Sequence, residues 1–256
     1  TVCLVAGSAR YRGAAELAAR GAWRSGAGLV TLVSDGVFSG AWPETIFEPH
    51  DWQAAWPPAG VSLKRAASVV AGPGLEPAAG SSLPAIAGWA PGPLVLDAGA
   101  LEPELLQQVL TRRRAGPLVL TPHAGEAERL LAEFLPEQAG LTRTDPLEAA
   151  ASLSAELGAI TVLKGPATVI AGTDGQLAVS DRGQPAMATG GTGDVLAGVI
   201  GAVLARTPAA ETAFGSVCAA EFLHGLAGEL AADRNGAGLV AGDVVAALPA
   251  ARKLLT

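Results

Sequence analysis

Short apolar runs that end in glycine or a polar residue alternate along the chain with longer segments of helical spacing. Six runs are predicted to be strands: 1–7, 28–34, 67–74, 93–101, 117–123 and 159–165. A hairpin is predicted from 168–172 and 176–180 around Asp174-Gly175. Helices are predicted over about 14–24, 145–157 and 211–231, from Glu126 and from Asp243, and after Asp194. The β-α-β spacing at the start predicts a right-handed crossover between parallel strands.

Residues 35–62 show no hydrophobic period. They contain Trp42, Trp52 and Trp56, several prolines and His50. We predict an irregular segment that covers a site. No internal repeat, low-complexity tract or linker interrupts the chain, so residues 1–256 are predicted to form one domain.

Composition narrows the class of protein. Half of the 256 residues are hydrophobic but only 4% are aromatic, which predicts a core of Ala, Val and Leu. A net charge of −7 argues against a nucleic-acid partner. Cys3 and Cys218 lie in apolar segments without a metal-binding pattern, which favours reduced thiols. With no signal peptide and no long apolar span, we expect a cytoplasmic protein without a membrane partner. The start at Thr1 suggests that a preceding segment or domain is missing.

The stretch 187–205 is a glycine-rich turn that leads into an apolar helix. The residues Gly190, Gly191, Thr192 and Gly193 leave the amides at the helix N-terminus accessible, which is typical of a phosphate site. Asp194 either caps the helix, carries chemistry or meets a metal, because a carboxylate beside phosphate otherwise repels it. The alternative interpretation of the whole stretch is a capped, buried helix after a glycine turn.

Candidate polar residues follow the predicted strands. The strand ends carry Gly72, Gly74, Asp97, His123 and Lys164, and ligands bind at this edge of open parallel sheets. Lys164 either reaches a phosphate or is a surface lysine. His123 either contacts substrate or is structural, and Asp97 either contacts a ligand or caps the next turn.

Two further groups are equally open to interpretation. Glu126 either orients a metal-bound water or favours the first turn of its helix, and the run 112–114 of three arginines reads as a solvated helix end. Neither the P-loop pattern nor an early GxGxxG is present. The combination favours phosphoryl transfer.

The ordered motifs resemble the ADP- or ATP-dependent NAD(P)H-hydrate dehydratases of the ribokinase-like superfamily, over residues 2 to 250. The motifs are GSARYRGAAELAARGAWRSGAGLVTL, AGPGL, VLDAGAL, VLTPHAGEAERL, VLKGPATVI and MATGGTGDVLAGVIGAVLA. The resemblance implies a three-layer fold, with a mostly parallel central sheet and helices on both faces. It also implies a repair enzyme that restores NADH or NADPH from the S epimer of its hydrate while consuming ADP or ATP.

The resemblance implies a role for each site residue. Asp194 would be the catalytic base and would contact the hydrated coenzyme, and Asp97 and Glu126 would support the site. The coenzyme would also contact Ala14, Gly74 and His123. The nucleotide and its phosphates would contact Lys164, Gly165, Pro166, Ala167, Thr168, Gly190, Gly191, Thr192 and Gly193. Mg²⁺ would neutralise the phosphates, with ligands that the sequence does not specify.

Two positions depart from the family pattern: Gly99 stands where DADAL has its second aspartate, and Gln184 stands where asparagine precedes Pro185. Relatives often carry an epimerase domain, fused or separate. Alanine- and glycine-rich helices permit close subunit packing, and we expect a homo-oligomer, with a tetramer the form we suspect. The alternatives are a small-molecule kinase of the same superfamily, similar to hydroxyethylthiazole kinase, and a nucleotide-sensing pseudoenzyme.

Overall fold

The computed structural model describes residues 1–36, 43–57, 65–76, 80–113, 116–207 and 209–255. One sheet contains nine strands: β1 (Val2–Val5), β2 (Val30–Ser34), β3 (Thr45–Pro49), β4 (Ser68–Ala71), β5 (Leu94–Leu96), β6 (Leu118–Leu120), β7 (Ile160–Leu163), β8 (Thr168–Ala171) and β9 (Leu177–Ser180). The described helices are α1 (Arg12–Arg24), α2 (Leu83–Trp89), α3 (Pro103–Arg112), α4 (Ala124–Phe134), α5 (Leu141–Thr144), α6 (Pro146–Leu157), α7 (Thr192–Leu204), α8 (Ala210–Asn235) and α9 (Ala241–Lys253).

The strand order is β3-β2-β1-β4-β5-β6-β7-β8-β9. Neighbours from β3 through β7 pair in parallel, and β8 and β9 add an antiparallel hairpin. The chain runs outward from β1 to β3 and then returns to the other side of β1. The strand order therefore reverses between β1 and β4, and such a reversal opens a crevice at the carboxyl ends of the strands.

Alternate residues of the strands face two separate cores, as the apolar runs predict. Val2 and Leu4 face a core that includes residues of α1, α7, α8 and α9. Cys3 and Val5 face a second core that includes residues of α2, α3, α4 and α6. Helices therefore cover both faces of a mostly parallel sheet, and the expected three-layer architecture is confirmed.

Glycines let α7 lie very close to its neighbours. A Cβ at Gly198 would collide with the Ala18 carbonyl oxygen of α1, and one at Gly201 would collide with the Val70 side chain of β4. A Cβ at Gly21 of α1 would lie 2.5 Å from the Val195 carbonyl oxygen. Such close backbone approach fixes the position of α7 on the sheet and therefore the place of its N-terminus.

The prediction for residues 35–62 is wrong in part, because Thr45–Pro49 forms the edge strand β3, parallel to β2. In this strand Ile46 is exposed and Phe47 is only partly buried, so the alternation of buried and exposed residues that marks a strand is weak. His50 contacts Trp52 and Trp56 edge to face, with ring centroids 5.0 and 5.4 Å apart. Trp42 lies outside the described residues.

The prediction that the arginine run is a solvated helix end is confirmed for the exposed Arg112 but is wrong for the partly buried Arg113. Arg112 is the last residue of α3, but the Arg113 guanidinium donates to the Gly116 and Pro117 carbonyls. Burial lowers the Arg113 pKa to about 10. Arg114 is outside the described residues. Among the helices that are described, none is long and apolar enough to span a membrane.

Candidate active site

The carboxyl ends of β5, β6 and β7 bring Asp97, His123 and Lys164 to one edge of the sheet. Backbone pairing continues beyond the strands, since the Lys164 amide donates to the Pro122 carbonyl at 2.8 Å. His123 and Lys164 also form an isolated parallel bridge. Three residues that are far apart in sequence therefore lie side by side.

Asp97 and Lys164 form an ion pair, with 2.7 Å between Oδ1 and Nζ. The Thr121 hydroxyl donates to the same oxygen at 2.7 Å. Asp97 is 2% exposed. Burial by itself would lower the Lys164 pKa, but Asp97 and the nearby Glu126 and Asp194 outweigh burial and raise it. Lys164 is therefore a cation fixed in place by an ion pair rather than a surface lysine. Asp97 pairs with it and makes no side-chain hydrogen bond that caps the turn that follows.

The turn before α7 is closed by Gly191, whose φ of +95° favours glycine. The Thr192 hydroxyl donates to the carbonyls of Met187 and Thr189, at 3.0 and 3.1 Å. The first amides of a helix have no intrahelical acceptor, so those of Thr192, Gly193 and Asp194 are available to an anion, whereas the Val195 amide already donates to the Gly191 carbonyl. A Cβ at Gly193 would lie 3.3 Å from the Lys164 ammonium, which places that cation beside the helix N-terminus.

Asp194 lies in the first turn of α7 and does not occupy the N-cap position, which is Gly191. Burial raises the Asp194 pKa to about 7, with a further rise from Asp97 and Glu126 and an opposing effect of Lys164. A carboxylate with this pKa exchanges a proton near neutral pH. Its position in the first helical turn and its raised pKa make Asp194 a candidate acid-base group.

His123 and Glu126 form a capping box at the start of α4, which begins at Ala124 rather than at Glu126. The His123 Nδ1 accepts from the amides of Gly125 and Glu126, and Glu126 Oε2 accepts from the His123 amide at 2.8 Å. Nδ1 is therefore unprotonated, which leaves Nε2 as the only ring donor of the neutral histidine. Both residues therefore stabilise the start of α4. The exposed ring of His123 also faces the cleft that is described next.

A cleft of about 690 Å³ lies between α7, α8 and the β7–β8 turn. Seven of the predicted residues line it: His123, Lys164, Gly165, Pro166, Thr168, Thr192 and Gly193. Ala167 in the β7–β8 turn and Gly191 and Asp194 at the start of α7 are next in sequence to lining residues but do not line it, and neither does Gly190. The cleft thus joins the α7 N-terminus to the strand end that carries Lys164.

Ala14 and Gly74 lie together at a different place, the crevice between β1 and β4. A Cβ at Gly74 would lie 2.8 Å from the Ala14 Cβ and 2.8 Å from the Tyr11 carbonyl oxygen. Gly74 also has a φ of +65°, so a glycine is favoured there for two reasons. Neighbouring Gly72 has a φ of +124° and lies against the Asp97 carbonyl, where a Cβ would collide.

The structure gives a physical account of one departure from the family pattern. A Cβ at Gly99 would lie 2.7 Å from the Leu75 carbonyl oxygen, so the backbone described here excludes an aspartate at that position. Gln184 is exposed and lines the cleft.

Among the charged and titratable residues that line the cleft, the sequence reasoning missed three: Arg182, Glu221 and His224. His224 is buried and its Nε2 lies 3.0 Å from the Thr192 carbonyl oxygen. Burial lowers the His224 pKa to about 4, so the ring is neutral and donates this hydrogen bond. A signal was available in the sequence, because Glu221 and His224 stand one helical turn apart in the predicted helix 211–231, among the apolar residues Phe222, Leu223, Leu226 and Leu230.

Comparison with known proteins agrees with the geometry. The family model described as NAD(P)H-hydrate dehydratase matches residues 2–250. The bifunctional NAD(P)H-hydrate repair enzyme of Gloeobacter violaceus is 40% identical over 245 residues, which are 92% of this chain and 46% of that protein. The ADP-dependent (S)-NAD(P)H-hydrate dehydratase of Neisseria meningitidis is 39% identical over 167 residues, which are 63% of this chain and 53% of that protein. The chain spans about half the length of these curated relatives.

Solved structures show the same fold. The ADP/ATP-dependent NAD(P)H-hydrate dehydratase of Bacillus subtilis, co-crystallised with ATP and Mg²⁺, superposes with a TM-score of 0.82 at 31% identity, covering 100% of this chain and 89% of that one. Ribokinase of Cryptococcus neoformans superposes with a TM-score of 0.62 at 16% identity, covering 99% of both chains, which supports the fold alone. The fold is therefore ribokinase-like, and the chain belongs to the NAD(P)H-hydrate dehydratase family.

Proposed function

We propose that the chain catalyses the nucleotide-dependent dehydration of the S epimer of hydrated NADH or NADPH. The observation that carries this proposal is the position of Asp194, a carboxyl group with a pKa of about 7 in the first turn of α7, beside helix amides that are available to an anion. A carboxylate repels phosphate, so a phosphate-binding site does not require one. A carboxylate at such a site is explained if it accepts a proton during phosphoryl transfer.

The first step phosphorylates the hydroxyl on the nicotinamide ring. The Asp194 carboxylate takes the hydroxyl proton as the oxygen bonds to the terminal phosphorus of ADP, and AMP leaves with the electrons of the broken P–O bond. The amides at the start of α7 stabilise the charge on the transferred group. Lys164, held beside Gly193 by Asp97, places a positive charge at the same point.

The second step eliminates phosphate. The lone pair of the ring nitrogen expels the phosphate with its bonding electrons, and loss of a proton from the adjacent ring carbon restores the double bond. The balance is hydrated NADH plus ADP giving NADH, AMP and phosphate. With ATP, the corresponding products are ADP and phosphate.

The two parts of the site divide the ligands. We propose that the hydrated coenzyme lies in the crevice by Ala14 and Gly74 and reaches the exposed ring of His123, whose Nε2 also lies 3.4 Å from Glu126 Oε1. The nucleotide lies in the cleft lined by the β7–β8 turn and α8. Asp194 lies in the first turn of α7, directly after the cleft residue Gly193, and we propose that the two ligands meet at it.

Mg²⁺ fits this site as an ion bound mostly through the nucleotide. Within the described part of the chain, no three His, Cys, Asp or Glu side chains are arranged as a metal site. Magnesium at phosphates commonly keeps its waters and uses one or two carboxylates, so an all-protein cage is not required. Glu126 and Asp194 are the carboxylates beside Lys164 that could contact it, and the ion would neutralise phosphate charge.

We further propose that residues 1–256 act as one dehydratase domain and that the chain forms a homo-oligomer. Leu177 and Val179 are 46% and 54% exposed on the edge strand β9, which gives the chain an apolar edge for self-association. Light scattering after size-exclusion chromatography measures the mass directly. A monomer at micromolar concentration would contradict the oligomer.

The function is tested by incubating the protein with hydrated NADH and either ADP or ATP. We expect NADH absorbance to reappear only when a nucleotide is present, with one phosphate released for each NADH. A stable phosphorylated product would instead identify a kinase. Nucleotide binding without any reaction would identify a sensor, and either result would contradict the proposal.

A further inference from the structure

Helix α8 places one carboxyl group at the wall of the nucleotide cleft. Glu221 is 3% exposed and, among the described residues that line the cleft, it is the only acidic one. One turn further along α8, Gly225 lets the segment at Arg182 lie against the helix, because a Cβ there would be 2.5 Å from the Arg182 Cβ. The segment after β9 and the helix α8 therefore enclose the carboxyl group from two sides.

The hydrogen bonding of Glu221 is incomplete. The hydroxyls of Ser180 and Thr168 lie near its carboxyl group, but Oε2 has no hydrogen-bond partner among the described residues. Burial raises the Glu221 pKa, the two hydroxyls oppose this, and Asp181 adds to the rise. A buried carboxyl oxygen without a partner is costly in a protein, so its presence at a ligand cleft calls for a donor from the ligand.

The carboxyl group and the Lys164 ammonium lie at different points of the cleft. Lys164 follows β7, and its ammonium reaches away from β8 to Asp97 at the end of β5, whereas Thr168 begins β8 on the other side of β7. The ammonium and Thr168 are therefore separated by between one and three strand spacings, roughly 5–14 Å. A nucleoside diphosphate with its terminal phosphate at Lys164 has its ribose in this range.

We propose that Glu221 accepts a hydrogen bond from the ribose 2′-hydroxyl of the bound nucleotide and so selects ribonucleotides. This inference rests on the proposed function, because it takes ADP as the ligand of the cleft. A phosphate cannot occupy this position because the buried carboxyl group would repel it. A hydroxyl is a suitable donor, and a site built to bind a hydroxyl rejects the analogue that lacks it.

The test compares the dissociation constants of ADP, 2′-deoxy-ADP and inosine diphosphate by equilibrium dialysis, without hydrated coenzyme. For the wild-type protein we expect 2′-deoxy-ADP to bind about tenfold more weakly than ADP, the value of one hydrogen bond to a charged group. In Glu221→Ala this ratio should fall to within about twofold, as the acceptor is gone. Glu221→Gln keeps a carbonyl acceptor and should give an intermediate ratio.

Glu211→Gln is the matched control, because Glu211 is an exposed acidic residue in the first turn of the same helix and should leave the ratio unchanged. If Glu221→Ala does not fold, a ratio in Glu221→Gln equal to that of wild type overturns the inference. Equal weakening of ADP and 2′-deoxy-ADP also overturns it, since that indicates a structural role. A change only in the ratio of ADP to inosine diphosphate overturns it in favour of base recognition.

The outcomes separate the two proposals. ADP binding with the expected ratios but no recovery of NADH supports the role of Glu221 and contradicts the proposed reaction. No ADP binding by the wild-type protein contradicts both.

Discussion

Replacing the proposed base should make the protein more stable. Asp194→Asn keeps the shape of the side chain but removes a carboxyl group whose pKa is raised by burial and by neighbouring carboxylates. A folded-state pKa above the ordinary aspartate value of 3.8 means that the folded protein binds this proton more tightly than the unfolded chain. Ionisation of Asp194 therefore opposes folding.

The size follows from the shift. From 3.8 to about 7 is about three pKa units, which at ~1.36 kcal/mol each is at most about 4 kcal/mol. Asp194 is only partly buried, and solvent screening reduces this to about 2 kcal/mol. The destabilisation is fully present above pH 7 and disappears as the pH falls from 7 towards 4.

Urea unfolding at pH 8 and at pH 4.5 measures this effect. We expect the free energy of unfolding of Asp194→Asn to exceed that of wild type by about 2 kcal/mol at pH 8 and by much less at pH 4.5. Glu211→Gln, an exposed change of the same kind, should have no effect at either pH. A variant no more stable than wild type at pH 8, or a gain equal at both pH values, would refute the reasoning.

Three further predictions concern the site and its scaffold. The kcat/KM for hydrated NADH should rise with pH through about 7 as Asp194 ionises. Lys164→Met should move this rise to higher pH, because Lys164 lowers the Asp194 pKa. A pH–rate profile that Lys164→Met leaves unmoved would argue against Asp194 as the base. Gly198→Ala should lower the free energy of unfolding by about 1–3 kcal/mol in thermal melts, because the added Cβ collides with the α1 backbone. Gly215→Ala, which has open space around it, should raise the free energy of unfolding by up to about 1 kcal/mol. Equal effects of the two variants would contradict the close packing of α7 on α1. Asp145→Ala should cost about 1 kcal/mol in urea unfolding, since its carboxylate caps α6 at 3.1 Å, and no loss would show that the cap is dispensable.

The strands that carry the site were predictable because each is buried on both faces and reads as a continuous apolar run. Apolar spacing also predicted the helix after the glycine turn, although it begins at Thr192 and not after Asp194. The cap at Asp145 was predictable from local chemistry, since a side chain three residues away is all that it requires. Local signals therefore gave most elements of the fold.

Long-range contacts could not be predicted in the same way. The pairing of Asp97 with Lys164 joins residues 67 positions apart, and only the strand order brings them together. The edge strand β3 was missed because none of its five residues is buried, so its sequence has no continuous apolar run. Glu221 was overlooked because its helix was interpreted from its apolar stripe, although a buried carboxyl in such a stripe is the more informative residue.

The central claim, that Asp194 is the base beside a phosphate-binding helix N-terminus, is tested most directly by pairing ADP binding with turnover in Asp194→Asn. We predict that the variant binds ADP at least as tightly as wild type in equilibrium dialysis, because the glycine turn and Lys164 are intact. We also predict that its rate of NADH recovery from the hydrate falls by at least about 100-fold, the contribution of a positioned general base. Turnover at the wild-type rate would contradict the claim.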